Sequence, residues 1–372
     1  MWPMSTSLIR RMTVPVLAGG LLVAVGCSQQ NGDLMRYGPV DHAAVTQAKG
    51  VSPETTIDTT GDDRPGLLMG PHFKVQLGGF TVADSVPADQ AALYGFSGGP
   101  VRAENGTEFF LAIVAADTTG GDKGVRAALD VDGTERPLDH VPTAGEAVAA
   151  VVPTGAKVAL SVFDEDRGQS VNLRDGSRIK EIDGYYNGAL RSEDPKDYSE
   201  SGKATGDAGA NYLPVSRTLH IKMNVGVATR DPWDDELGWA DEGKVWVTVP
   251  ISDMVTDSVW GFDTGKNSHE PIMTWKLKER DTFSLTPKDG KAVDPKGKQT
   301  FTADDTRELM DDKGYMTFDP NGTDLVFQVT AKATSMTLRI TPKGSMKAKW
   351  ADVSGKCTWD SKPDTGKISL KF

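Results

Sequence analysis

From about residue 66 to the end of the chain, short apolar runs alternate with clusters of Gly, Pro, Asp and Asn. FKVQLGGFTV, EFFLAIVAA, AVAAVVPTGAKVALSVF and SVNLRDG come first. TLHIKMNVGV, GKVWVTVPI, IMTWKLKE, DTFSLTP, TDLVFQVTA, SMTLRITP and KISLKF follow. Runs of this length, bounded by turn formers, are strands. In KVALSVF the period of two puts Val158, Leu160 and Val162 on one face. No long stretch carries a 3.6-residue period. The best helical candidate is TADDTRELMDDKG at 302–314, with acids early and Gly314 as a stop. The chain is therefore expected to be all-β, and many short strands with turn signals between them predict β-sandwiches.

Two polar stretches divide this pattern. Residues 28 to about 65, including SPETTIDTTGDDRPG, offer little to bury and read as a flexible, disordered tether. DGYYNGALRSEDPKDYSESGKATGDAGANY, residues 183–212, reads as an interdomain linker. The expected organisation is a signal segment over 1–26, a tether over 27–65, a first sandwich over 66–182, the linker over 183–212, and a second sandwich over 213–372. The two β regions share a weak repeat. YGFSGGPVRAENGTEFFLAIV answers LGWADEGKVWVTVPI, and GAKVALSVFDEDRGQSVNLRDGSR answers TDLVFQVTAKATSMTLRITPKGS.

The N-terminus carries a targeting pattern. Arg10 and Arg11 precede the uncharged run Val14–Val25, whose 12 residues are too few to span a bilayer but suit a signal-peptide core. Ala24-Val25-Gly26-Cys27 follows and resembles the bacterial lipobox. The resemblance implies cleavage between Gly26 and Cys27 and a diacylglyceryl thioether on the Cys27 sulfur. Two acyl chains anchor stably where one holds only marginally. The arginine pair also resembles a twin-arginine export signal, although Met12-Thr13-Val14 fits that pattern poorly.

Removing 26 of the 372 residues leaves 346, enough for two or three cores. Loss of Arg10 and Arg11 takes the formal net charge from −11 to −13. Such a chain is repelled by nucleic acid and by an anionic membrane surface. Its membrane contact is expected through the lipid alone. Of the two cysteines, Cys27 carries the lipid in this reading, so Cys357 has no partner for an intramolecular disulfide. It reads as a small buried hydrophobe.

With the lipobox, the stretches SVNLRDGSR at 170–178 and LGWADEGKVW at 237–246 resemble uncharacterised actinobacterial surface lipoproteins with immunoglobulin-like β-sandwich domains. The likeness touches about a quarter of the chain. It implies two immunoglobulin-like sandwiches in tandem and a location on the outer face of the cell membrane. It lends no chemistry and no binding residues.

The search for chemistry returns few candidates. Gly95-Phe96-Ser97-Gly98-Gly99 fits the G-x-S-x-G nucleophile elbow, but a strand follows where an elbow needs a helix. No histidine is placed to serve Ser97 as a base. A glycine-rich loop is the better account. The five histidines are scattered singly, without metal-ligand spacing. DPWDDELGWADEG gathers Asp231, Asp234, Asp235, Glu236, Asp241 and Glu242 into one loop, which could offer oxygens to calcium but lacks EF-hand spacing. A solvated acidic loop is its default reading, and no cofactor is expected.

Apart from Trp2, every tryptophan lies in the second β region. Trp246 and Trp275 fall in alternating strands and are expected in the core. Trp233 and Trp239, in the acidic loop, either plug the end of a sandwich or stack on a ligand such as a sugar ring. The leading expectation is a non-catalytic surface lipoprotein that binds an envelope protein or a cell-wall glycan. An exported glycan hydrolase using paired carboxylates and a purely structural envelope component are the alternatives.

Overall fold

The computed structural model describes residues 36–59, 64–121, 124–207, 215–260, 272–306, 313–319, 322–350 and 353–372. The signal segment, Gly26 and Cys27 lie outside the described residues. Strands make up 56% of the structure against 3% helix, so the protein is all-β.

The first unit is a sandwich. One sheet contains β1 (Ala43–Gln47), β2 (Phe73–Ala83), β3 (Thr107–Val114) and β6 (Glu146–Pro153), in the order β1-β6-β3-β2. The facing sheet contains β4 (Arg126–Val131), β5 (Thr134–Pro137), β7 (Val158–Asp164), β8 (Arg167–Asn172) and β9 (Arg178–Lys180), in the order β5-β4-β7-β8-β9. Phe110, Ala112, Val148 and Ala150 of one sheet meet Leu129, Val158, Leu160 and Val162 of the other in one buried cluster.

The first sheet is covered on its second face as well. Phe109, Leu111, Ile113, Ala149 and Val151 pack there against Val86, Ala91, Tyr94 and Val101. Double coverage explains why β3 and β6 are continuous apolar runs rather than alternating ones: both faces of each strand are dry.

The folded part begins earlier than the polar composition predicts. Arg36–Tyr37 pairs with Val101–Arg102, β1 lies along β6 from Ala43 opposite Ala150 to Gln47 opposite Glu146, and Thr55–Thr56 pairs with β2. The described part of the expected tether thus belongs to the first unit, supplying Ala43–Gln47 to one edge of its first sheet and Thr55–Thr56 to the other. Its short side chains suffice at an edge, where one side of the strand needs no partner.

The second unit has a different architecture. Its strands are β10 (Tyr198–Gly206), β11 (Val215–Val225), β12 (Lys244–Trp260), β13 (Ile272–Lys278), β14 (Phe283–Pro287), β15 (Thr300–Thr306), β16 (Lys313–Asp319) and β17 (Gly322–Thr330). β18 (Ser335–Ile340), β19 (Ser345–Trp350), β20 (Val353–Ser361) and β21 (Gly366–Lys371) complete it. Antiparallel pairing runs β11-β10-β20-β19-β13-β15-β16-β12, and β12 pairs back to β11. The ladder closes into an eight-strand ring.

An eight-strand closure is just wide enough for side chains to fill. Leu219, Ile221, Met223, Met254, Met273, Trp275, Phe301 and Phe318 belong to its core cluster. Trp275 meets Phe318 at 5.3 Å and Trp359 edge-on at 5.5 Å. The same core continues under a three-strand sheet, β14-β18-β21, through Phe283, Leu338, Ile340 and Leu370. β12 runs along the whole unit. Its far end pairs with β16 and β11, and its near end with β17 and the short strand Thr229–Asp231.

Three expectations change here. The linker over 183–212 contains β10, a member of the ring. Its buried positions are Tyr198, Gly202, Ala204 and Gly206, and the last three are too small to register as an apolar run. Gly202 must be small, since a Cβ there would come within 2.7 Å of the Trp359 ring. The helical candidate at 302–314 falls instead on β15 and β16, with residues 307–312 outside the described residues. The second pair of the repeat has no common hairpin. β7 and β8 form one hairpin, whereas β17 and β18 lie in different sheets.

Candidate functional site

The acidic loop folds back on itself by satisfying its own backbone. Asp231 accepts a hydrogen bond from the Trp233 N–H at 3.0 Å. Asp234 accepts from the amides of Glu236 and Leu237 at 3.0 and 2.9 Å. These turns set Trp233 opposite Trp239 in a two-stranded hairpin, Trp233–Asp234 with Gly238–Trp239. The Trp246 indole N–H donates to the Gly238 carbonyl at 2.8 Å and ties the hairpin to β12.

One side of this loop walls an open pocket of about 780 Å³. Asp231, Trp233, Asp234, Asp235, Glu236 and Leu237 form that wall. Trp246 and Thr248 of β12, with Asp324 and Val326 of β17, form the floor, and Lys296 and Gly297 close the far side. The Lys296 ammonium lies 5.3 Å from the centre of the Trp246 ring, within cation–π range. Arg280 holds the Lys296–Gly297 backbone by donating to both carbonyls at 3.0 Å.

Burial is the main reason the Asp231 carboxyl titrates above its ordinary range, with Asp234 and Asp235 adding like-charge repulsion. Beside it, burial likewise pushes the Tyr185 hydroxyl up, and Asp231 reinforces the shift.

The other side of the loop faces the first unit. The Trp239 indole N–H donates to the Glu165 carbonyl at 2.6 Å, and the Arg167 guanidinium lies 4.7 Å over the Trp239 ring. Arg167 also donates to the Ala240 carbonyl at 3.0 Å. The His72 ring meets Trp233 edge-on at 5.0 Å. Glu165 and Asp166 form the two-residue turn between β7 and β8, both at positive φ. That backbone suits the strand twist but is unusual without glycine.

The sequence candidates therefore separate. Trp233 reaches both pocket and junction, while the Trp239 N–H is committed to the junction. Asp231, Asp234, Asp235 and Glu236 line the pocket. Asp241 forms an ion pair with Lys244 at 2.7 Å, and Glu242 is exposed outside the pocket wall. No three of the six bring ligand atoms within 4.8 Å of one another. Among the described residues, the group that does so is His72, Asp164 and Glu165. There the buried Asp164 receives the His72 N–H on one oxygen and meets the His72 Nδ1 with the other, each at 2.9 Å. Both carboxylate oxygens thus already clasp the start of β2 to the β7–β8 turn.

Trp246, expected in the core, is buried and also lines the pocket, whereas Lys296, Asp324 and Val326 were not singled out in the sequence. The alternation in KVWVTVP could have placed Trp246 at the pocket, because it puts Trp246 and Thr248 on the face opposite Val245, Val247 and Val249. Lys296 carries no comparable signal.

Ser97 is exposed in a loop between the turn Ala91–Tyr94 and the short strand Val101–Arg102. His42 lies against this loop, its ring stacked on Phe96 at 4.5 Å, but its Nε2 donates to the Tyr94 carbonyl at 2.7 Å. That nitrogen is not available to take a proton from Ser97. Among the described residues, no helix is long and apolar enough to cross a membrane.

Fold and site define an all-β protein with an acidic, indole-lined surface pocket. No protein-family model, no curated protein and no solved structure matches the chain.

Proposed function

We propose that this protein is a lipid-anchored, non-catalytic binding module on the outer face of the cell membrane, with the 231–237 pocket as its binding surface. The observation that carries the reading is an open pocket lined by the half-buried Trp233 and a row of carboxylates, with the buried Trp246 ring beneath them. Indoles supply apolar contact at low entropic cost, and carboxylates supply orientation. The anchor rests on the ordered sequence of Arg10-Arg11, the Val14–Val25 run and the small residues before Cys27. The kinship with tandem immunoglobulin-like surface lipoproteins belongs to this proposal. The facing sheets of the first unit favour it, and the closed ladder of the second departs from it. The envelope supplies the partner, a protein or a glycan.

Labelling cells with a clickable fatty acid tests the anchor. Wild-type protein is expected in the membrane fraction, labelled and at mature size, while Cys27→Ser is unlabelled and either unprocessed or released. Membrane retention of an unlabelled, mature-sized Cys27→Ser protein overturns the anchor. Binding is tested by titrating the protein with isolated envelope fractions and following tryptophan emission. The expected result is a saturable change that Trp233→Ala reduces.

A further inference from the structure

We propose that Asn105 is a site of spontaneous deamidation, converted in the folded protein to a mixture of aspartate and isoaspartate. Asparagine is among the chemically labile side chains. A following glycine exposes it further, because no Cβ hinders the glycine nitrogen from reaching the carboxamide. Asn105-Gly106 is such a pair, in the turn that leads into β3. The Thr107 N–H donates to the Glu104 carbonyl at 3.0 Å and closes that turn. Both members of the pair are exposed. Gly106 has a φ of +83°, and a Cβ added there would meet nothing within 4 Å. Among the described residues, neither the Asn105 carboxamide nor the Gly106 N–H makes a hydrogen bond. The fold therefore ties up neither reacting group.

The other described asparagines are held or hindered. Asn172 accepts from the Arg174 N–H at 2.9 Å and donates to Asp175 at 3.2 Å, and Asn224 donates to Asp253. Leu173 and Val225 follow them, each with a side chain in the way. Asn187-Gly188 is a second pair of the same kind, but both residues are half-buried. The Asn187 carbonyl accepts from Arg230, and a Cβ on Gly188 would lie 2.8 Å from the Thr334 methyl.

The change is a hydrolysis in two stages. The Gly106 nitrogen gives its proton to a base in solvent and attacks the Asn105 side-chain carbonyl carbon. The new C–N bond closes a succinimide ring, and the carboxamide nitrogen leaves as ammonia. Water then adds to one of the two ring carbonyls and breaks its bond to the Gly106 nitrogen. Opening on the side-chain side gives aspartate, and opening on the main-chain side gives isoaspartate. Each product puts a carboxylate beside Glu104 where the amide was neutral. Isoaspartate also adds a carbon to the backbone of a turn whose Gly106 carbonyl accepts from the Thr154 N–H at 2.9 Å. The surface of the first unit thus changes with the age of the molecule.

Incubation of the purified, folded protein in neutral and mildly alkaline buffer, followed by peptide mass mapping over time, tests the proposal. The peptide carrying Asn105 is expected to show the amide-to-acid mass shift before the peptide carrying Asn187. It should split into aspartate and isoaspartate forms and convert faster in the alkaline buffer, where the Gly106 nitrogen loses its proton more often. Asn105→Gln, which would have to close a larger ring, should lose the shift with the thermal midpoint unchanged. Conversion of Asn105 in urea but not in the folded protein overturns the proposal, since the turn then protects the pair. Aspartate as the sole product overturns it too, because the ring opens both ways. So does an Asn105 peptide that stays intact in both states.

Discussion

Asp231 illustrates how one side chain can serve a site at the expense of the fold. Its native pKa lies above the unfolded value of 3.8, because burial disfavours the charged form. The native state therefore holds a proton that the unfolded chain has released, across the window from 3.8 up to the raised native value. Stability falls as pH rises through that window and stays lower above it. Asp231→Asn keeps the oxygen that accepts from the Trp233 N–H and removes the buried charge. It is expected to raise stability at neutral pH by about 1 kcal/mol and to flatten the pH dependence across that window. Urea unfolding at acidic and neutral pH measures both. An unchanged or lower midpoint at neutral pH would mean that the charge is compensated within the protein.

Strands reward different residue types according to what lies on each of their faces. β3 and β6 are apolar throughout because each is covered twice, so their sequences are legible as buried strands. β10 is nearly invisible in the sequence, because most of its buried positions are Gly or Ala. Gly202 shows the constraint directly, since its Cβ position lies 2.7 Å from both the Trp359 ring and Pro363. Gly202→Val is expected to cost about 2 kcal/mol through overpacking, read as a lower midpoint in urea at unchanged slope. A variant as stable as wild type would mean that the ring wall yields to admit the extra methyls.

At the scale of the molecule, the two units meet through the acidic hairpin. Arg167 of the sandwich covers Trp239 and bonds Ala240, while Glu165 receives the Trp239 N–H. Arg167→Ala removes a cation–π contact and a hydrogen bond, a loss of about 1–2 kcal/mol of coupling. Calorimetry should then resolve two transitions, or one broader transition, where wild type shows tighter coupling. An identical thermogram would show that the junction stands on its other contacts. The pocket opens beside this junction, with Pro71 of the first unit on its rim.

By itself the sequence determined the class of fold, through its period of two and its turn residues. It also marked out the acidic loop with Trp233, since carboxylates and indoles crowded into a few residues are visible without coordinates. These are local properties, set by how a residue relates to its neighbours in the chain. Only the tertiary structure decided the rest. Closure of the second ladder depends on β12 pairing with β11 and β16 at once, and pairing between distant strands leaves no trace in either strand alone. The place of Ala43–Gln47 in the first sandwich was hidden because an edge strand needs little hydrophobicity. Lys296 and Asp324 joined Trp233 in one pocket through loops and strands far apart in sequence. The acidic loop itself was divided, with Trp239 given to the junction and Asp234, Asp235 and Glu236 to the pocket, because the hairpin presents one face to each unit.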